Sequence, residues 1–219
     1  MHHTAGHTHQ AALATEGRTI RWAQHYDMLV NLLTLGRENK LRQETIRLAS
    51  IQADATVLDV GCGTGSLTRL AKAAAGNRGV VYGIDAAPEM IEVAQQKALQ
   101  QHSDVQFKTA LIEALPFPDN TFDVVLSSMM FHHLPDDLKL QGLAEILRVL
   151  KPSGRLLVVD MQRASKSAHK LSPIALFHPG SSYGVQDLMP TLTKLGYTRI
   201  EAGSMGMMQL GFVQGQRKG

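Results

Sequence analysis

Short, almost unbroken apolar runs alternate with amphipathic stretches along most of this chain, and that alternation sets the expected fold. Thr56–Val60, Gly79–Ile84, Val105–Thr109, Phe122–Ser127 and Arg155–Asp160 are rich in Val, Ile, Leu and Phe. Such runs predict strands buried on both faces of a sheet. Between them, Ser66–Ala75, Pro88–Gln101 and Asp137–Leu150 carry apolar residues at helical spacing. Pro88 falls in the first turn of its helix, where a missing N–H costs nothing. Turns are expected at Pro118–Thr121 and Lys151–Gly154, and a further helix over Gly184–Leu195. Tyr197–Ala202 and Met207–Val213 lie too close together for a helical crossover and predict a final antiparallel pair. The expected class is α/β: a Rossmann-like, mostly parallel sheet with helices on both faces. Ligands of such sheets bind beyond the carboxyl ends of the strands.

Upstream of the first strand, Trp22, Tyr26, Leu29, Leu32, Leu33, Leu41, Ile46 and Leu48 recur near a 3.6-residue period, and Gly36 divides the segment into two helices. Residues 19–50 therefore read as an N-terminal helical lid added to a ligand-binding domain over 51–219. Residues 1–18, with His2, His3, His7 and His9 among small polar residues, read as a flexible His-rich terminus.

Composition narrows the class. With 219 residues, 44% hydrophobic and 19% charged, the chain suits one globular α/β domain. No apolar run is long enough to span a bilayer and the start does not resemble a secretory signal, so a cytoplasmic protein is expected. The net charge of +3 is spread out and only 5% of residues are aromatic, which argues against nucleic acid as a partner. The single cysteine, Cys62, excludes internal disulfides and multi-cysteine metal sites; no metal is expected. The apolar segment Leu29–Leu35, followed by Arg37, Lys40 and Arg42, permits peripheral membrane contact. The expected assembly is a monomer or homodimer.

The most informative stretch is Val57-Leu-Asp-Val-Gly-Cys-Gly-Thr-Gly65. An apolar strand runs into three alternate glycines and then a helix, an arrangement that brings backbone amides and a positive helix end to the edge of the sheet. Twenty residues beyond Gly65, the next strand ends in Asp85, where a carboxylate can take both hydroxyls of a ribose; its rival role is to start the helix that follows. The dinucleotide fingerprint G-x-G-x-x-G would need glycine at Ser66, and no Gly-Lys-Ser/Thr follows for a P-loop. A nucleoside without a pyrophosphate remains, and a dehydrogenase is disfavoured.

Taken with Ala114-Leu-Pro-Phe-Pro-Asp-Asn-Thr-Phe-Asp-Val-Val125, His132-His-Leu-Pro135 and Arg148-Val-Leu-Lys-Pro-Ser-Gly-Arg155, the glycine segment and Asp85 resemble the class I S-adenosylmethionine-dependent methyltransferases. The similarity is greatest to the small-molecule branch that includes ubiquinone and menaquinone biosynthesis enzymes. The resemblance covers about residues 20–200 and implies a seven-stranded sheet with an antiparallel last strand and S-adenosylmethionine as cofactor. It also implies roles. Gly61, Cys62, Gly63 and Gly65 would border the methionine moiety and Asp59 would orient its ammonium. Asp85 would hold the ribose, Ala86 and Met90 would line the adenine pocket, and the Ser127 carbonyl would face the ammonium. Tyr26, in the pair Tyr26-Asp27, would close over the cofactor. Relatives place Asp or Asn where this chain has Leu111, which leaves adenine recognition to the Ile112 backbone or to water. Ser153 replaces a glycine of the usual turn.

Displacement at a sulfonium methyl needs positioning and exclusion of water more than acid–base groups. A general base helps only when the acceptor must lose a proton. His132 and His133 follow the fourth strand on the cofactor side and, with Tyr26, are the catalytic candidates; as neighbours on a loop they are expected to point apart. His25, His169 and His178 are weaker candidates, and Cys62 reads as apolar filler. Met129, Met130, Phe131 and Leu134 give the presumed entrance an apolar wall, suited to an apolar small-molecule acceptor such as a quinol, phenol or thiol. Two alternatives stand beside this reading: a phospholipid-headgroup N-methyltransferase at a membrane surface, and a non-catalytic nucleoside-binding module.

Overall fold

The computed structural model describes residues 37–163, 183–207 and 209–219. Seven strands form a single sheet: β1 (Thr56–Val60), β2 (Val80–Asp85), β3 (Gln106–Thr109), β4 (Phe122–Ser128), β5 (Leu150–Met161), β6 (Thr198–Ser204) and β7 (Leu210–Gln216). Their order across the sheet is β3-β2-β1-β4-β5-β7-β6. β1 to β5 pair in parallel, and β7 lies antiparallel to both β5 and β6. The chain leaves β1 toward β2 on one side and returns to β4 on the other, so the reversal of strand order falls beside β1. That crevice is where ligands of open α/β sheets bind.

Five helices cover the sheet among the described residues: α1 (Glu38–Ala49), α2 (Ser66–Ala75), α3 (Pro88–Gln100), α4 (Asp136–Val149) and α5 (Met189–Leu195). Two apolar cores result, one on each face. Leu41 of α1, Leu67 and Ala71 of α2 and Ile91 and Ala94 of α3 meet Val57, Val81, Leu126 and Leu157 on one side. Leu143 and Ile146 of α4 and Leu192 of α5 meet Leu58, Ile84, Val125 and Val158 on the other. Adjacent strand residues, such as Val57 and Leu58, thus serve opposite cores, which explains why the strands read as continuous apolar runs.

The element pattern follows the sequence expectation, with differences at the ends. β5 begins at Leu150, so Lys151–Gly154 belongs to the strand where a turn was expected. Two features account for this: the pairing of β4 with β5 slips between Phe122 and Val124, and Ser153 takes a left-handed φ of 62°, so the strand absorbs the bend as an irregularity. The helix expected over Gly184–Leu195 is a 3₁₀ turn, Val185–Leu188, followed by α5. Of the segment expected to form a lid, α1 is described; it packs on α2 and β5, and an Arg155 guanidinium N–H reaches the Ala49 carbonyl at 3.4 Å. Tyr26, His25, His169 and His178 lie outside the described residues, as do Leu29–Leu35 and residues 1–18.

Candidate functional site

β1 delivers the chain into a bend in which Gly61, Gly63 and Gly65 all take positive φ, 73°, 52° and 76°. A side chain is excluded there for steric reasons as well. A Cβ on Gly61 would lie 2.4 Å from Met130 Cγ, and one on Gly65 would lie 2.5 Å from the Phe107 ring. Glycine is therefore required twice over.

The bend was expected to present its amides to a ligand. Most instead bond within the protein. The Gly61 and Cys62 N–H groups both donate to the Ile84 carbonyl at 2.9 Å, and Gly65 N–H donates to the Cys62 carbonyl at 3.0 Å. Gly63 N–H donates to Asp85 Oδ2 at 2.9 Å, while Ala87 N–H donates to Asp85 Oδ1 at 2.9 Å. Asp85 thus ties the glycine bend to the residue that precedes α3.

Asp59, 1% exposed, sits below the same bend and accepts a hydrogen bond from the Thr68 hydroxyl at 2.7 Å. Burial, reinforced by the nearby Asp85, pushes its carboxyl up to about 7, against the lowering effects of Thr68 and Arg42. Burial also raises the Asp85 carboxyl, opposed by the amides of Ala87, Gly63 and Ala86. A buried carboxyl and a half-buried one, the first made costlier to ionise by the second, form a site poor in positive charge. Such a donor set disfavours a pyrophosphate. It fits a ligand with an ammonium and a pair of hydroxyls, as S-adenosylmethionine has.

The remaining cofactor candidates gather along the same edge. Ala86 follows β2, and Met90, 3% exposed, packs with Ala87 and Val93 on α3. Leu111 is half-buried just past β3, and the Ile112 side chain turns inward against Gly142 of α4. Ser127 is buried, and its hydroxyl donates to the Val60 carbonyl at 2.9 Å, tying the end of β4 to the end of β1. Burial raises the Cys62 thiol well above its usual range, so it stays a thiol and acts as filler. Among the described residues no group of three or more His, Cys, Asp or Glu is arranged to hold a metal.

Beyond β4 a 3₁₀ turn, Phe131–His133, carries the two histidines. They do not point apart: their ring centroids lie 3.9 Å from each other at 45°. The cause is Asp160 near the end of β5, which is inaccessible to solvent. Its Oδ1 lies 2.7 Å from His132 Nδ1, and its Oδ2 accepts the His132 backbone N–H at 3.1 Å. Reading the sequence missed Asp160, Thr68 and the seating of Met130 on Gly61. The available signal for Asp160 was an acid closing the apolar run Leu156-Leu-Val-Val-Asp160, as Asp85 closes β2.

The comparisons with known proteins agree with this geometry. A methyltransferase domain family matches residues 57–154. The chain is similar to a demethylmenaquinone methyltransferase of Thermus thermophilus, 38% identical over 68% of this chain and 66% of that protein. It is also 36% identical to a ubiquinone/menaquinone biosynthesis C-methyltransferase of Hahella chejuensis, over 64% of this chain and 57% of that protein. The match therefore spans roughly three fifths of the length of these relatives. In fold it resembles a SAM-dependent methyltransferase from Aquifex aeolicus, with a TM-score of 0.70 and 24% identity, covering 87% of this chain and 97% of that one. Residues 57–154 thus form a methyltransferase domain, and the chain is similar to the class I S-adenosylmethionine-dependent methyltransferases. Within that class its similarity runs to the quinone-biosynthesis branch.

Proposed function

We propose that the protein transfers a methyl group from S-adenosylmethionine to a small, apolar acceptor, with a quinol ring as the best-supported substrate class. The observation that carries this reading is the placing of a buried carboxyl, Asp59, and a half-buried one, Asp85, at a glycine bend whose amides largely bond within the protein. That arrangement suits a cationic nucleoside and rejects a phosphorylated one. The quinol class rests on the named relatives and on the apolar residues Met130, Phe131 and Leu134 beside the bend.

In this reading Asp59 orients the ammonium, Asp85 holds the ribose hydroxyls, and Gly61, Cys62, Gly63 and Gly65 leave room for the methionine portion. Ala86, Met90, Leu111 and Ile112 border the adenine, and the end of β4 at Ser127 closes the pocket. When bound, S-adenosylmethionine supplies a sulfonium-activated methyl group. The protein's own contribution is to hold the acceptor in line and to keep water away. Where the acceptor must lose a proton, His132 and His133 are the groups beside the site able to take it near neutral pH. For His132 the ring atom not engaged by Asp160 is Nε2. Tyr26 is proposed to cover the cofactor from the N-terminal segment.

Among the described residues no helix is long and apolar enough to cross a membrane. We propose a cytoplasmic enzyme that takes its apolar acceptor from solution or from a membrane face. The test is incubation with S-adenosylmethionine carrying a deuterated methyl and 2-prenyl-1,4-naphthoquinol, followed by mass spectrometry. A labelled C-methylated product is expected. A labelled lipid amine from phosphatidylethanolamine vesicles, without quinol product, would replace this reading with the headgroup one. Cofactor binding without turnover of either would leave a nucleoside-binding module.

A further inference from the structure

We infer that Asp160 is a positioning residue for the acceptor side, fixing His132 in its Nδ1–H form and thereby setting the turn that carries His133 and Met130. The inference rests on the methyltransferase reading above and adds a residue which that reading does not use.

The bonding pattern dictates the proton's place. Asp160 Oδ1 takes the Met161 backbone N–H at 2.7 Å and Oδ2 takes the His132 backbone N–H at 3.1 Å. Backbone amides can only donate, so both oxygens act as acceptors. The 2.7 Å contact from Oδ1 to His132 Nδ1 then requires the hydrogen to sit on Nδ1. The imidazole is 4% exposed and the carboxylate is fully buried, so water does not compete for the bond. Nε2 becomes the nitrogen that can accept a proton.

The same carboxylate locates the turn. It holds His132 by both backbone and side chain, and on either side of His132 lie the two residues that face the site. His133 stacks on the His132 ring at 3.9 Å. Met130 lies over Gly61 so closely that an added Cβ there would meet Met130 Cγ at 2.4 Å. One buried acid on β5 therefore registers the post-β4 turn against the glycine bend after β1. The other charged and titratable groups nearby come from α4 and from the segment before the Val185–Leu188 turn. Tyr183 feels Asp160, Asp187 and Asp136, and the Lys139 ammonium sits 4.1 Å from the centre of the Tyr183 ring while pairing with Asp136 at 2.8 Å.

Two variants of the full chain test the inference. Asp160→Asn keeps the size of the side chain but has one acceptor oxygen where the carboxylate uses two. His132→Asn offers Asp160 an amide N–H in place of the ring. Nitrogen-resolved histidine NMR should find Nδ1–H at His132 in the unaltered protein and displaced ring-nitrogen shifts in Asp160→Asn, where one of the two acceptors is lost. With 2-prenyl-1,4-naphthoquinol, both variants should lose kcat on the order of ten- to a hundred-fold, since a positioned acid–base group contributes about a hundred-fold or more. S-adenosylhomocysteine affinity should hold within about three-fold, the cofactor contacts being made by other residues. Nδ1–H absent at His132 in the unaltered protein, or ring-nitrogen shifts and kcat unchanged in Asp160→Asn, would overturn the inference. If Asp160→Asn does not fold, kcat in His132→Asn decides. If the unaltered protein fails to methylate the quinol, the substrate reading falls, and the NMR result alone then upholds or overturns the role of Asp160.

Discussion

The Gly63 amide donates to Asp85 Oδ2 at 2.9 Å, joining the middle of the glycine bend to the end of β2. One carboxylate thus shapes the bend and also offers the site its hydrogen-bond acceptor. Asp85→Asn should weaken S-adenosylhomocysteine binding roughly ten- to a hundred-fold, since a hydrogen bond to a charged group contributes about 1.5–3 kcal/mol. Its melting temperature should fall as well, because the Gly63 and Ala87 N–H groups each donate to a separate carboxylate oxygen and Asn keeps only one acceptor. Isothermal titration and thermal melts separate the two effects.

Asp59 predicts a pH dependence with a defined sign. Its carboxyl is raised from 3.8 to about 7 in the folded protein. Between those values the folded state holds a proton that the unfolded state releases, so stability falls as pH rises through this window. The full contribution is present below pH ~4 and gone above ~7. Asp59→Asn, which keeps an acceptor for Thr68, should flatten melting temperature against pH from 4 to 7.5. An ammonium-bearing ligand favours the ionised carboxylate, so binding near pH 6.5 should release a proton. Titrations in buffers of different ionisation enthalpy read this directly, and the variant should show no release at that site.

Gly61 and Met130 form a steric pair. Gly61→Ala must push aside a methionine whose Cγ would lie 2.4 Å from the new carbon, and must hold a φ of 73°. Left-handed backbone costs a non-glycine residue roughly 1–2 kcal/mol, and the clash adds to it. Gly61→Ala with Met130→Ala should recover only the Cγ share of the steric cost, since the Met130 Cβ also lies 2.8 Å from the new carbon, and none of the backbone part. A double-mutant cycle on denaturation midpoints should therefore show partial rescue.

Arg148 secures the connection that leads into β4. Its guanidinium donates to the Phe117 and Leu115 carbonyls at 2.8 and 3.0 Å and pairs with Glu145 and Asp119 at 2.8 Å. Glu145 in turn accepts the Leu115 N–H at 2.9 Å. Arg148→Lys cannot reproduce this planar fork. It should cost about 2 kcal/mol in urea unfolding while leaving cofactor affinity unchanged, the network being away from the glycine bend.

Much of the fold was legible because buried parallel strands announce themselves as apolar runs. Val57–Val60 and Val124–Leu126 serve two cores at once and so lose the alternation that a half-exposed strand would show. The glycine bend was legible because its backbone conformation demands a residue type, and Asp85 because an acid closes an otherwise apolar strand. What sequence could not supply was pairing at a distance. Asp160 reaches His132 across 28 positions, and Thr68 reaches Asp59 across 9; neither spacing is a local signal. The direction of the bend's amides was misjudged for the same reason, since the Ile84 carbonyl that takes two of them belongs to the neighbouring strand. The slip in β4–β5 pairing that draws Lys151–Gly154 into the strand depends on Phe122 and Val124 opposite.

The most direct test is calorimetric titration of the unaltered protein with S-adenosylmethionine, S-adenosylhomocysteine and NADH at pH 7.5. Saturable binding of the first two, with no heat from the dinucleotide, is the result expected of a pocket floored by Asp59 and Asp85. Silence toward both sulfur nucleosides, or tight binding of NADH, would contradict it.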